Sequence, residues 1–247
     1  QIQPASGASQ QVYPTLVNGD YSTTKGLELR VTLRRVNRLQ AQVSYTYSDA
    51  RGTGSNPTTL AGAVAASGEP GYIPKFVFPL DFNQTHNGSI ALDYRFEKND
   101  GGPILEQLGA NLLLAFSSGF AYTRVSIEEL SLTDPRSRTP LEPVGSSTTP
   151  WNFRLDLRVD KMVLAGPLNV DFYIYVQNLL NLDNANFVFS RTGDPKDDGW
   201  LATAQGSSKV ATYGQPYTDL YSAVNNGYNA NNFTAPRQIR FGVKLEY

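Results

Sequence analysis

Cysteine is absent from this chain of 247 residues, and histidine occurs once, as His86. Without cysteine there is no disulfide, no thiol nucleophile and no zinc finger. A single histidine also excludes a metal site built from several histidines of this chain. The 21 Lys and Arg residues stand against 22 Asp and Glu, and without a basic excess we expect no nucleic-acid partner. We expect no cofactor either.

Long apolar runs are missing as well. A membrane-spanning helix needs roughly 18 consecutive apolar residues, and no segment of this sequence approaches that length. The mean hydropathy of −0.34 is, by itself, typical of a soluble protein. Because no stretch has convincing helical periodicity, we expect no helix.

What the chain does contain is regular alternation of apolar and polar residues. In LQAQVSYTYS, apolar residues from Leu39 to Tyr47 occupy every second position, and polar residues lie between them. Alternation over about ten residues predicts a β-strand with one apolar and one polar face. We predict about eight strands, at 10–17, 24–35, 39–49, 86–97, 108–118, 152–163, 168–178 and 237–247.

Two architectures share this pattern. A soluble sandwich turns its apolar faces inward, whereas a transmembrane antiparallel β-barrel turns the apolar face outward to lipid. Strand length favours the barrel, because soluble strands average about five or six residues and tilted membrane strands about ten. Connection lengths favour it too, since a soluble domain rarely has several long structureless loops. Short turns at 36–38, 98–107 and 165–167 alternate with long connections at 51–83, 119–150 and 179–235.

Charged residues decide which face meets lipid. An arginine at the bilayer midplane of a barrel costs roughly 2–4 kcal/mol, so we expect the charged side chains to point into the lumen. There they could pair with one another, contact a plug or line a permeation path. The predicted lumen-facing residues are Glu28, Arg30, Arg34, Asp93, Arg95, Arg154, Asp156, Arg158, Asp160, Arg240, Lys244 and Glu246.

Several segments resemble, in their order and spacing, the C-terminal end of TonB-dependent outer-membrane receptors. These segments are PLDFNQTHNGSIALDYRF, LLLAFSSGFAYT, LDLRVDKMV, VDFYIYVQNLLNLDNANFVFSRTG and APRQIRFGVKLEY. They are most similar to the subgroup that begins with a carboxypeptidase-regulatory-like domain. The resemblance implies an integral protein of the bacterial outer membrane, a plugged barrel of about 22 strands and energy-coupled import of a scarce ligand. It also implies that Tyr247 is the signal read by the barrel-assembly machinery.

Eight strands are about a third of such a barrel, which leaves three arrangements open. Residues 1–247 are the C-terminal barrel part of a longer receptor, or the missing strands come from another chain, or eight strands close alone. A longer receptor implies three partners: lipid, the remaining strands with their plug, and the TonB energy-coupling complex through that plug. We recognise no plug domain and no signal peptide in residues 1–247. A barrel shared with another chain, or one closed by eight strands alone, predicts a structural or surface-assembly protein whose loops dock a partner such as a surface lipoprotein.

Ligand recognition is expected in the long connection at 179–235, because loops carry function on rigid scaffolds. Its aromatic and amide side chains suit sugars or peptides, and they equally suit packing within the loop or against a partner protein. The candidate ligand contacts are Trp200, Tyr213, Tyr217, Tyr221, Tyr228, Asn225 and Asn229.

Catalytic patterns are nearly absent, and we expect the protein not to be an enzyme. His86 lies between Asp81 and Asp93 in the sequence, and histidine with a carboxylate can act as a general base. The segment NQTHNG, however, reads as the start of a strand. A hydrogen-bonding role for His86 at the rim of the sheet is therefore the simpler prediction. We also expect no metal site.

Overall fold

Antiparallel pairing joins seven long strands and one short strand into a single sheet. The computed structural model describes residues 20–56, 76–126 and 139–246. In chain order the strands are β1 (Ser22–Val36), β2 (Leu39–Gly52), β3 (Phe78–Pro79), β4 (His86–Arg95), β5 (Leu108–Ser117), β6 (Ala121–Tyr122), β7 (Ser147–Thr148), β8 (Asn152–Ala165), β9 (Leu168–Gln177) and β10 (Gln238–Glu246).

The order of strands across the sheet follows the chain. Long strands pair in the order β1-β2-β4-β5-β8-β9-β10, with β3 added to β2, while β6 and β7 form a separate small sheet. Because neighbours are antiparallel, the short turns lie at one end of the sheet and the long connections at the other. These are named the turn end and the loop end.

Seven of the predicted strands are present, so the antiparallel β-sheet is confirmed; the strand predicted at 10–17 lies outside the described residues. Among the described residues, β1 pairs only with β2 and β10 only with β9. The described sheet is therefore open, with two unpaired edges, rather than closed into a barrel.

The expectation that the chain has no helix is wrong. Besides a single turn, α1 (Gly102–Leu105), the connection expected to be structureless carries α2 (Ala204–Tyr213) and α3 (Gln215–Asn229). Thr203 caps α2, since its Oγ1 accepts the Gly206 N–H at 3.0 Å, and such caps stabilise a helix start. In the described part of the chain, no helix is long and apolar enough to cross a membrane.

Burial on the sheet is the reverse of that in a water-soluble sheet. Leu27 is 66% and Phe241 75% exposed, whereas Asp156 is 3% and Asp160 5% exposed. Buried apolar residues lie instead at the loop end, in a compact assembly of the connections that we name the loop layer (residues 50–56, 76–85, 118–126, 139–150 and 178–237). They are Ala50, Leu80, Ala121, Val125, Ala185 and Val188.

Candidate functional site

Strand register brings most of the predicted lumen-facing residues onto one side of the sheet, named the charged face. Successive residues of a strand point to opposite sides, so residues aligned across the strands share a face. One row crosses six strands of the sheet. It consists of Gln40, Asp93, Asn111, Arg158, Tyr175 and Arg240.

Arg95 reaches across an entire strand to bind Asp160. Its Nη1 and Nη2 donate to the two carboxylate oxygens at 2.7 and 3.0 Å. Gly109 of β5 lies between the two residues in register, and a Cβ there would lie 2.5 Å from the Arg95 guanidinium carbon. The missing side chain of Gly109 therefore makes this ion pair possible.

Arg158 continues the ionic network from β8 to β9. Its Nε lies 3.6 Å from Asp160 Oδ1, its Nη2 lies 3.4 Å from Asp171 Oδ2, and its guanidinium lies 4.5 Å from the centre of the Tyr173 ring. The Tyr173 ring in turn covers Gly242 of β10. Positive charge thus faces buried negative charge along the middle of the charged face.

Asp156 is buried and satisfied by three different donors. Arg154 Nε lies 3.1 Å from Oδ2, the Tyr175 hydroxyl donates to the same oxygen at 3.3 Å, and the Asn178 N–H donates to Oδ1 at 2.9 Å. A buried carboxylate without such partners is strongly destabilising. The predicted mutual pairing is therefore present for Arg95, Arg154, Asp156, Arg158 and Asp160.

The prediction for β1 was less accurate. A register shift between Leu33 and Val36 places an extra residue in β1, and it is Arg35 that pairs with Asp93. Arg34 is exposed. Alternation alone does not point to Arg35, because a bulge changes which residue opposes the neighbouring strand. Glu28 and Arg30, nearer the loop end of β1, are both exposed.

The final strand carries three of the predicted lumen-facing residues. Arg240 Nη2 donates to Gln238 Oε1 at 3.0 Å. Lys244 lies opposite Asp171, and Glu246 lies opposite Asn169. Tyr247, the predicted assembly signal, lies outside the described residues.

Aromatic rings gather on the opposite side, named the apolar face, at its loop end. His86 stacks on Trp151 with ring centres 5.4 Å apart, and Trp151 stacks on Phe153 at 6.0 Å. The Tyr45 hydroxyl lies 2.8 Å from His86 Nδ1, so His86 has the hydrogen bond predicted for it. This upper aromatic row consists of Tyr45, Tyr47, His86, Phe116, Trp151 and Phe153.

A smaller aromatic group lies at the turn end. Tyr94 and Phe96 meet edge to face at 5.5 Å, and the Arg38 guanidinium lies 4.5 Å above Phe96. Arg38 also donates to both oxygens of Asp100, at 2.8 and 2.6 Å. The Arg38 guanidinium holds the pKa of Asp100 below its usual value, and the Asp100 carboxylate raises the pKa of Arg38.

Three of the predicted ligand contacts form a structural cluster within the loop layer. Trp200 Nε1 donates to the Tyr217 hydroxyl at 2.9 Å, and the Tyr221 hydroxyl donates to Asp198. Burial, followed by the hydrogen bond to Asp198, raises the pKa of Tyr221. The polar atoms of these aromatic residues are therefore used to hold the segment 198–200 against α3.

Two more of the predicted ligand contacts adjoin this cluster, since the Tyr213 and Tyr217 rings lie 6.3 Å apart. Tyr213 is 58% exposed at the end of α2, and Asn225 hydrogen-bonds Tyr221. Tyr228 and Asn229 lie in the last turn of α3, but their side chains lie outside the described part of the chain. The five candidates whose side chains are described thus form one connected group along α3.

Sequence reasoning missed three asparagines at the boundary between the sheet and the loop layer. Asn184 accepts from the Phe153 N–H and donates to the Phe153 carbonyl oxygen, both at 2.8 Å. Asn178 Oδ1 accepts from Leu182 N–H at 3.0 Å, and Asn181 Oδ1 accepts from Arg237 N–H at 2.9 Å. The signal was the spacing of three in NLLNLDN, because asparagine often bonds nearby backbone.

A polar recess of about 330 Å³ lies beside these asparagines, between the charged face and the loop layer. Asn152 Oδ1 is buried there without a hydrogen-bond partner among the described residues. Most of the side chains that line the recess carry an amide or a hydroxyl, and Phe116 and Phe153 also line it, so the recess suits a ligand with both polar and apolar parts. They include Asn87, Ser89, Ser117, Asn152, Arg154, Gln177 and Gln238.

Comparisons with protein-family models, with curated proteins and with solved structures found no match to this chain.

Proposed function

We propose that this chain is part of the wall of an outer-membrane β-barrel, with the apolar face against lipid and the charged face towards the lumen. We further propose that the barrel is a receptor that imports a scarce ligand with energy relayed through a plug, as the resemblance to TonB-dependent receptors implies. The chain then supplies the C-terminal strands. Other strands, and the plug, lie outside residues 1–247 or on another chain.

The observation that carries the membrane proposal is the inverted burial of the sheet. Leucine, valine and phenylalanine are exposed across the sheet while Asp156 and Asp160 are buried. In water, exposed apolar area costs about 25 cal/mol per Å², and soluble monomers rarely expose patches beyond a few hundred Å². In a lipid bilayer the same apolar face is favourably solvated.

The positions of the aromatic rings support the same orientation. On β4, His86 of the upper row and Tyr94 at the turn end lie eight residues apart, which is about 27 Å along a strand. With a tilt of about 40°, this corresponds to roughly 21 Å of membrane depth, close to the ~25 Å apolar band of such barrels. Aromatic rings concentrate at both membrane–water interfaces.

The two open edges support the need for further strands. The backbone groups along the outer sides of β1 and β10 have no strand partner among the described residues. Unsatisfied backbone groups cost several kcal/mol each in hydrocarbon, which is why membrane sheets close. Additional strands, or closure of the sheet on itself, would satisfy them.

The role as a receptor is supported by the polar recess and by the folded loop layer above it. A second candidate function, a surface-assembly barrel, is favoured by a different observation. Tyr213, Leu220 and Val224 leave an exposed apolar stripe on α2 and α3, whereas Trp200, Tyr217 and Tyr221 are committed to internal contacts. Such a stripe suits a protein partner more than a small ligand.

Fractionation and labelling together test the location. The protein should remain in the outer-membrane fraction after a carbonate wash. Since the chain has no cysteine, single cysteines at Ser146 or Ser208 should react with a membrane-impermeant thiol reagent on intact cells. Cysteines at Lys98 or Pro167 should react only after the outer membrane is broken. A carbonate-soluble protein, or labelling of the turn positions alone on intact cells, would contradict the proposed arrangement.

Deletion of the gene separates import from surface assembly. A receptor predicts slower growth on at least one limiting nutrient, with recovery when the wild-type protein is restored and no recovery in the presence of a proton uncoupler. A surface-assembly barrel predicts unchanged uptake of all nutrients and an altered set of surface proteins. The second result would overturn the import proposal and leave the membrane proposal intact.

A further inference from the structure

Lys161 is an exception on the apolar face. On β8 the residues that point to this face are Phe153, Leu155, Leu157 and Val159, and the next position in the alternation is Lys161. A lysine facing lipid costs roughly 2–4 kcal/mol at the midplane of a barrel and about 0–1 kcal/mol near its interfaces. Its position along the strand therefore decides whether it is tolerated.

The ammonium of Lys161 is held at the turn end. Its Nζ donates to the backbone carbonyl oxygen of Ile104 at 3.0 Å and to that of Glu106. Both carbonyls belong to the connection between β4 and β5. The charge therefore lies at the level of the turns, where polar headgroups meet the apolar band, and it is not in the middle of that band.

Lys161 also lines a groove on the apolar face. It has a volume of about 440 Å³ and crosses β8, β9 and β10. Its exposed walls include Phe172 and Phe241, which are 49% and 75% exposed. The apolar-face residues that line it are Val159, Lys161, Phe172, Ile174, Phe241 and Val243.

We propose that Lys161 and this groove bind one anionic phospholipid from the leaflet on the turn side. An ammonium has three N–H donors, and the two backbone carbonyls use two of them, so one donor remains for a phosphate oxygen. One acyl chain lies between Phe172 and Phe241. This inference rests on the proposed membrane location of the apolar face.

Charge complementarity selects the occupant. Bulk lipid covers any apolar surface without preference, but a fixed cation beside a groove favours a lipid with net negative charge. A zwitterionic phospholipid places its own ammonium near Lys161, so its net electrostatic attraction to Lys161 is weaker. Free phosphate can reach the ammonium but leaves the groove unfilled.

Thermal unfolding of the full chain folded in a zwitterionic detergent tests the proposal. Phosphatidylglycerol should raise the melting temperature at lower concentration than phosphatidylcholine, and inorganic phosphate should leave it unchanged. Lys161→Gln should weaken phosphatidylglycerol binding roughly five-fold, and Lys161→Arg should keep most of the affinity. Lys98→Gln, which removes an exposed lysine of the same connection, is the matched control and should bind as the wild type does.

Phe241→Ala tests the contribution of the groove separately, because it removes part of the groove wall and leaves the hydrogen bonds of Lys161 intact. It should weaken binding of phosphatidylglycerol and leave the melting temperature without lipid nearly unchanged. Equal binding by the wild type and both variants, or equal effects of phosphatidylglycerol and phosphatidylcholine, would overturn the lipid site. If the chain is instead folded and monodisperse without detergent, the membrane proposal itself fails, so the two failures are distinguishable.

Discussion

The sheet and the loop layer follow opposite rules of burial. On the sheet, apolar residues such as Leu27 and Phe241 are exposed, and carboxylates such as Asp160 are buried. In the loop layer, Leu80 is 1% exposed while charged residues such as Lys196 and Asp183 pair at the surface, with side chains more than 60% exposed. One chain therefore contains two regions with opposite patterns of burial.

The difference teaches how each region is held together. The loop layer is stabilised as a water-soluble protein is, by burying apolar side chains and capping its helices. The sheet relies on backbone pairing and on ion pairs of the charged face, and we propose that lipid covers its exposed apolar side chains. Mutations should therefore have effects that depend on the region more than on the residue type.

Leu80→Ala should have the largest effect, within the loop layer. Removing a fully buried leucine costs about 2–5 kcal/mol, through lost burial and the cavity left behind. Protease cleavage of the loop layer in the folded protein should rise accordingly. Leu141→Ala, at a loop leucine that is 61% exposed, is the matched control and should change cleavage little; equal cleavage of both variants would show that the loop layer has no core.

Leu92→Arg should show whether the apolar face contacts lipid or water. Leu92 is 36% exposed, and in water such a surface substitution changes stability by about 0.5 kcal/mol at most. Against lipid it should cost roughly 2–4 kcal/mol. The free energy of unfolding is measured by denaturant titration in phospholipid vesicles, with Leu141→Arg in the loop layer as the control. A change in the free energy of unfolding near zero at both positions would contradict the proposed difference between the regions.

Gly109→Ala should disturb the charged face by a smaller amount. The new Cβ would lie 2.5 Å from the Arg95 guanidinium, so the side chain must leave Asp160 or the strands must separate. A cost of roughly 1–3 kcal/mol is typical of overpacking. Gly54→Ala, whose Cβ would lie 3.4 Å from the nearest carboxylate oxygen, should be tolerated in the same unfolding assay. If the Gly109→Ala and Gly54→Ala variants are equally stable, the Arg95–Asp160 ion pair does not depend on the missing side chain of Gly109.

Acidification should have the smallest effect, at the Arg38–Asp100 contact of the turn end. The pKa of Asp100 is lower in the folded state than in the unfolded chain. The stabilisation is therefore complete above the unfolded pKa of about 3.9 and is lost as pH falls through the folded value. Hydrogen exchange of residues 96–107, corrected for intrinsic rates, should increase below pH 4 in the wild type. The Asp100→Asn variant should lack this pH dependence. An identical pH profile in both proteins would contradict a stabilising role of the Asp100 carboxylate.

The alternation of apolar and polar residues was sufficient to predict the sheet but not the loop layer. It predicts seven of the observed strands and the face on which Asp93, Arg95 and Asp160 lie, because a period of two is strict in a pleated strand. It does not predict the Arg35–Asp93 ion pair, because the bulge in β1 interrupts the period. Where a bulge falls depends on pairing with β2, which local sequence does not contain.

The helices of the loop layer were missed for a different reason. Tyr213, Tyr217 and Tyr221 recur every four residues, which is a helical spacing, but the same aromatic residues suited a ligand-binding loop. The roles of Trp200 and Asp198 became clear only from their contacts with Tyr217 and Tyr221. Such long-range partners are a property of the fold, not of the local composition.

Tryptophan fluorescence tests the central claim most directly, because the chain has two tryptophans, one in each region. Trp151 lies in the upper aromatic row, and Trp200 lies in the loop layer. The protein is reconstituted into vesicles that contain phospholipids brominated near the headgroup. In Trp200→Phe, the remaining Trp151 should be strongly quenched; in Trp151→Phe, the remaining Trp200 should not be quenched. Equal quenching of the two, or quenching of Trp200 alone, would contradict the assignment of the apolar face to lipid.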